Sequence, residues 1–135
     1  MTINNPDEHN FSESEIEKIL NTFKFRYACL SREIGENGTP HIHLFIYANS
    51  RIRFSTIKKR FTTAHIDKAY GSVADNIAYI TKTGKWENTD KAETSVEGSF
   101  REYGEAPSEL EEHYPELSQI LDDIVSGLST SEIIT

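Results

Sequence analysis

Phe25-Arg26-Tyr27-Ala28-Cys29-Leu30-Ser31-Arg32-Glu33-Ile34-Gly35-Glu36-Asn37-Gly38-Thr39-Pro40-His41-Ile42-His43-Leu44-Phe45-Ile46-Tyr47 reads as two strands around a turn. Residues 25–34 are rich in aromatic and β-prone side chains, which predicts a strand. Gly35 to Pro40 is turn chemistry throughout. His41 to Tyr47 predicts a second strand, so the two form an antiparallel hairpin.

Working outward, Thr2-Ile3-Asn4 predicts a short strand stopped by Asn5-Pro6. Ser12 and Glu15 have capping-box spacing, and Ile16, Ile19, Leu20 and Phe23 share one helical face. That predicts a helix from about Ser12 to Phe23. A short basic helix is expected over Phe54 to Phe61, and a short strand over Ala64 to Lys68. Ser72-Val73-Ala74-Asp75 resembles a helix start, with the helix running to about Thr83 and closed by Gly84. Gly98 to Tyr103 is the last expected strand. Mixed element order with hairpins implies an α+β domain with a central antiparallel sheet of about five strands flanked by helices.

After Pro107 the composition shifts to Glu, Asp and Leu, with Leu117, Ile120, Leu121, Ile124 and Leu128 at helical spacing. The expected organisation is a domain over 1–107 and an acidic helical tail over 108–135, able to pack on the domain or pair with another chain. The sequence ends in mid-pattern, as though a longer protein had been cut.

The chain has 135 residues, a size for one core, which seven Phe, six Tyr and one Trp help to fill. No run reaches the ~18 apolar residues of a membrane helix, and no secretory leader is evident. The single cysteine, Cys29, rules out an internal disulfide and reads as a buried, inert thiol. The net charge of −8 argues at first against a nucleic-acid partner, but it is unevenly spread. Residues 1–20 carry one base and five acids (−4), 21–91 twelve bases and six acids (+6), and 92–135 one base and eleven acids (−10). A basic middle permits contact with phosphates. A solvated surface with an acidic tail explains the same numbers.

His41 and His43 alternate on one strand, so their side chains share a face ~7 Å apart. Such a pair is more often idle than a metal site. Glu33 changes the balance, because a hairpin of this length brings it beside the histidines. Two nitrogens and a carboxylate leave positions open for water or substrate, the mark of a catalytic metal centre. The donor set suits Mn²⁺ or Mg²⁺, and Zn²⁺ by ligand type as well.

Asn76-Ile77-Ala78-Tyr79-Ile80-Thr81-Lys82 places Tyr79 and Lys82 three apart, on one helical face. A lone helical tyrosine is usually core and a lysine usually solvated. Beside a metal the pair becomes a mechanism: a phenol with pKa ~10 needs a cation to stabilise its anion before it attacks. No serine sits in a nucleophile elbow, and no carboxylate pair fits glycosidase chemistry.

With these residues in place, the chain resembles the endonuclease domain of Rep, the replication-associated protein of circular single-stranded DNA viruses and related plasmids. Rep belongs to the HUH endonuclease superfamily. Thr2-Ile3-Asn4-Asn5-Pro6 is similar to the family's first motif, associated with origin recognition. Gly38-Thr39-Pro40-His41-Ile42-His43-Leu44-Phe45 is similar to the second, histidine–hydrophobe–histidine. Tyr79-Ile80-Thr81-Lys82 is similar to the third, Tyr-x-x-Lys. The likeness spans about residues 1–107, and no G-x-x-x-x-G-K-[ST] of a helicase half occurs.

The resemblance implies a ferredoxin- or RRM-like HUH fold and a transesterification that nicks single-stranded or stem-loop origin DNA. Tyr79 would become linked to a 5′-phosphate, leaving a 3′-hydroxyl, and the ends could later be rejoined. Glu33, His41 and His43 would hold Mn²⁺ or Mg²⁺, and Lys82 would neutralise charge or assist proton movement. Asn4, Lys58, Lys59, Lys68 and Lys85 are candidate DNA contacts, with solubility an equal explanation for each lysine. The tail would be a linker or oligomerisation segment. A viral chain would work in the host nucleus and a plasmid one in the bacterial cytoplasm. A non-catalytic origin-binding domain and an HUH transposase or relaxase are the rival readings.

Overall fold

The computed structural model describes residues 1–35, 38–83 and 95–113. The central hairpin forms as β2 (Tyr27–Ile34) and β3 (Pro40–Tyr47). β1 (Thr2–Asn4) pairs with β3, and β4 (Arg101–Gly104) with β2, giving a four-stranded antiparallel sheet in the order β1-β3-β2-β4. Gly35 and Gly38 close the turn through Gly35 N–H to Thr39 O and Gly38 N–H to Gly35 O. Gly38 has φ 78°, a conformation that glycine reaches without strain.

β2 is covered on both faces. Ala28 and Leu30 join Ile3, Ile16, Leu20, Ile42, Leu44 and Phe61 in one core. Tyr27 and Cys29 point the other way, into a second core with Phe45, Val73 and Ile80. The first core is closed by α1 (Glu13–Leu20), whose N-cap Ser12 accepts a hydrogen bond from the Glu15 N–H. Phe23 lies beyond this helix rather than in it. The chain tightens there through Thr22 N–H to Ile19 O and Phe23 N–H to Leu20 O, and the Phe23 ring stacks on Phe61. Burying that aromatic pair ends the helix earlier than its periodicity suggested. Cys29 is fully buried, and burial pushes its thiol up to about 11.

The second core is closed by α3 (Val73–Thr81), opened by a full capping box between Ser72 and Asp75. This helix stops short of Thr83, and the expected closing residue, Gly84, lies outside the described residues. It is ended by Lys82, whose φ of 55° and ψ of 45° reverse the chain at a non-glycine residue.

The expected fifth strand, Ala64 to Lys68, is reduced to one bridge. His65 exchanges two backbone hydrogen bonds with Thr2, both 2.8 Å. β1 offers only three residues before Asn5 turns left-handed, and Ala64 is held in the core, so nothing more can pair. α2 (Phe54–Arg60) has Phe61 as its C-cap. The last strand begins at Arg101, because Gly98 lies in a turn at φ 76°. Of the expected acidic tail helix only α4 (Glu109–His113) is described. The stripe from Leu117 to Leu128 lies outside the described residues, as does Lys85. No described helix is long and apolar enough to cross a membrane.

Candidate metal centre and nucleophile

Pairing register creates the site. Glu33 stands directly opposite His41, and Ser31 opposite His43, on the face that α3 covers. β3 is an interior strand, so β1 and β2 hold the two imidazoles from both sides. Glu33 is 3% exposed. Its Oε2 lies 3.0 Å from His41 Nε2 and 2.5 Å from His43 Nε2. The three residues can each present one donor atom with all three atoms within 4.8 Å of one another.

The far side of each ring is also held. His41 Nδ1 lies 3.3 Å from Thr39 O, and His43 Nδ1 lies 3.3 Å from Thr2 Oγ1. A ring whose Nδ1–H donates to a carbonyl keeps its Nε2 lone pair free for a cation. His41 is placed to do that. Two imidazole nitrogens and a carboxylate oxygen converging on one point fit a divalent ion, and Glu33, His41 and His43 are the residues that would hold it.

Glu33 has a second partner. Its Oε1 is buried, with the Lys82 ammonium 2.6 Å away. Burial alone would raise the carboxyl pKa. Hydrogen bonds and charge from His43 and Lys82 override that, and it falls to about 2. The site therefore keeps its carboxylate ionised across the ordinary pH range.

Lys82 is 5% exposed, and its ammonium also lies 3.6 Å from the centroid of the Tyr79 ring. The sequence reading put Lys82 on the helix beside Tyr79. The left-handed turn instead swings its side chain back under the ring to reach Glu33. Tyr79 is half-buried, its ring edge-on to His43 with centroids 5.7 Å apart. Tyrosine, ammonium, carboxylate and two imidazoles thus form one contiguous cluster.

Of the expected DNA contacts, Asn4 is exposed and paired in register with His41, so it shares the metal face. Lys68 helps wall a cavity of about 120 Å³ beside His43 and Tyr79. Lys58 and Lys59 ride on α2, whose neighbours Ile57 and Phe61 pack into the other core, and the Lys58 ammonium donates to Ala64 O at 2.6 Å. The structure does not bring those two to the cluster. Two residues escaped the sequence reading. Thr2 reaches His43 through the β1–β3 register. Buried Ser31 donates to Ile80 O at 3.0 Å and fastens the C-terminal end of α3 to β2. Ser31 was findable, because it sits two residues from Glu33 on the same strand face.

Residues 1–83 match the family described as "Putative viral replication protein". The chain is similar to the Replication-associated protein of beak and feather disease virus, 40% identical over 83 residues, and to that of pigeon circovirus, 37% identical over 83 residues. Each match covers 62% of this chain, and 28% and 25% of the respective relatives. A human-associated cyclovirus Replication-associated protein is 36% identical over 63 residues, 45% of this chain and 22% of its own. The chain thus spans about a quarter of the length of these relatives.

Proposed function

The chain belongs to the viral replication protein family, and from that premise we propose that it initiates rolling-circle replication by nicking single-stranded origin DNA with Tyr79. The observation that carries this reading is the cluster itself, with Tyr79 edge-on to a metal-ligand imidazole and seated on the Lys82 ammonium. The ammonium lies against the ring face of Tyr79, and the ring stands edge-on to His43, so the phenol belongs to the same charged cluster as the three candidate ligands.

In the proposed step the phenolic oxygen forms a bond to phosphorus as the bond from phosphorus to the 3′-oxygen breaks. The phenol loses its proton and the departing 3′-oxygen gains one. One phosphodiester replaces another, so the reverse step rejoins the ends without a nucleotide cofactor. A divalent cation, when bound, supplies polarisation of the scissile phosphate. Glu33, His41 and His43 would hold that ion, on the sheet face where Tyr79 meets His43. Ser31 fixes the end of α3, and so sets how far the phenol stands from the imidazoles. Asn4 and Lys68 flank the site where a strand would enter.

Mass spectrometry after incubation with a stem-loop oligonucleotide and Mn²⁺ tests the proposal. The wild type should gain the mass of the 3′ fragment, attached to Tyr79. Tyr79→Phe should gain nothing while still binding Mn²⁺ and DNA. An adduct on Tyr79→Phe would refute the assignment, and DNA binding without any wild-type adduct would leave a non-catalytic origin-binding domain.

A further inference from the structure

Two neighbouring cavities lie beside α3, and one of them borders the site. The smaller, against Tyr79, shares Ala69 and Asn76 with a larger one of about 340 Å³ that continues to Arg51, Val73 and Glu112. Together they make a groove running from the phenol to the N-terminal end of α3. α4 sits at that far end. Glu112 Oε1 accepts a hydrogen bond from the Val73 backbone N–H at 2.6 Å, and Arg26 pairs with Glu111 at 2.8 Å. α4 has no buried residue, and its Leu110 is 60% exposed.

Polar contacts rather than apolar area therefore hold this segment down. Contacts of that kind weaken with salt and yield to a competing anion. A phosphate and the Glu112 carboxylate seek the same thing at this end of the groove, the positive pole of α3 and nearby bases. Arg51 lines the cavity at this end. We propose that α4 is an autoinhibitory strap, whose Glu112 carboxylate holds the far end of the groove, anchored by the Glu111–Arg26 pair, until a single-stranded nucleic acid displaces it. The proposal rests on the reading of the site as DNA-cleaving.

The test compares the full chain with Glu112→Gln, Glu111→Gln/Glu112→Gln and Glu112→Ala. Binding of a fluorescent oligothymidylate is read by anisotropy at low and high salt, with the adduct assay alongside. Glutamine keeps an acceptor for the Val73 N–H while removing the charge, so the fold should persist. Affinity should rise roughly two- to fivefold per carboxylate removed, the range of a partly screened charge interaction. The gain should shrink at high salt. Glu112→Ala should bind more tightly too, but with a lower melting point. Unchanged or weaker binding by both glutamine variants overturns the strap. If the wild type still forms its adduct in that case, the cleavage reading stands alone; if it forms none, both fall.

Discussion

Lys82→Met is the most informative perturbation. The ammonium it removes is buried, 2.6 Å from Glu33 Oε1 and 3.6 Å from the Tyr79 ring centroid. Without it, a carboxylate that is 3% exposed keeps, among the described residues, two imidazoles for compensation. Breaking a buried pair from one side costs about 3–5 kcal/mol. The contacts to both imidazoles remain, so the low end, about 3 kcal/mol, is expected. For a domain of this size that lowers the melting point by roughly 10 °C in EDTA.

The same ammonium repels any cation that Glu33, His41 and His43 hold. Removing it should therefore tighten Mn²⁺ binding, and saturating Mn²⁺ should narrow the gap in melting point between variant and wild type. Nicking should still fall sharply. Lys82→Gly isolates the backbone contribution, because a left-handed residue costs roughly 1 kcal/mol that glycine avoids. Calorimetry with and without Mn²⁺ reads all three quantities. A Lys82→Met protein that melts within a degree or two of wild type in EDTA, and binds Mn²⁺ no more tightly, would refute the reasoning.

Replacing His41 and His43 together by alanine should abolish Mn²⁺ binding in titration calorimetry and metal-dependent cleavage with it; tight binding by the double variant would mean a different ligand set. Glu33 has a folded-state pKa depressed from 4.5 to about 2, so its stabilisation is present above pH ~4.5 and is lost as pH falls towards 2. In EDTA, the stability difference between wild type and Glu33→Gln should therefore shrink over that window, and a constant difference would contradict the ion pair. Gly104 has φ 78°, and an added Cβ would sit 2.3 Å from Arg26 O, so Gly104→Ala should cost roughly 2 kcal/mol by denaturant titration.

The hairpin and its ligands were legible because they depend on local pattern. Alternation and turn chemistry fix which residues share a face, and Glu33 opposite His41 follows from the length of the connection. What could not be read depends on distant partners. His43 finds Thr2 only because β1 docks beside β3, 41 positions away in sequence. The segment after Ala64 has strand composition, yet it meets an edge with one residue left to pair. The spacing from Tyr79 predicts Lys82 on the helix, whereas it caps α3 in the left-handed conformation. An ion pair with Glu33 outweighs the preference for glycine at a left-handed turn, and no local rule announces that.

All three candidate metal donors belong to one hairpin, whereas the phenol arrives on a separate helix fastened by Ser31 and by the Lys82–Glu33 pair. The candidate cation seat and the phenol are therefore joined at two points, Ser31 to Ile80 and Glu33 to Lys82. Slackening the Ser31–Ile80 tether leaves the second link to hold the end of α3, so the ammonium beneath Tyr79 also limits how far the helix can retreat.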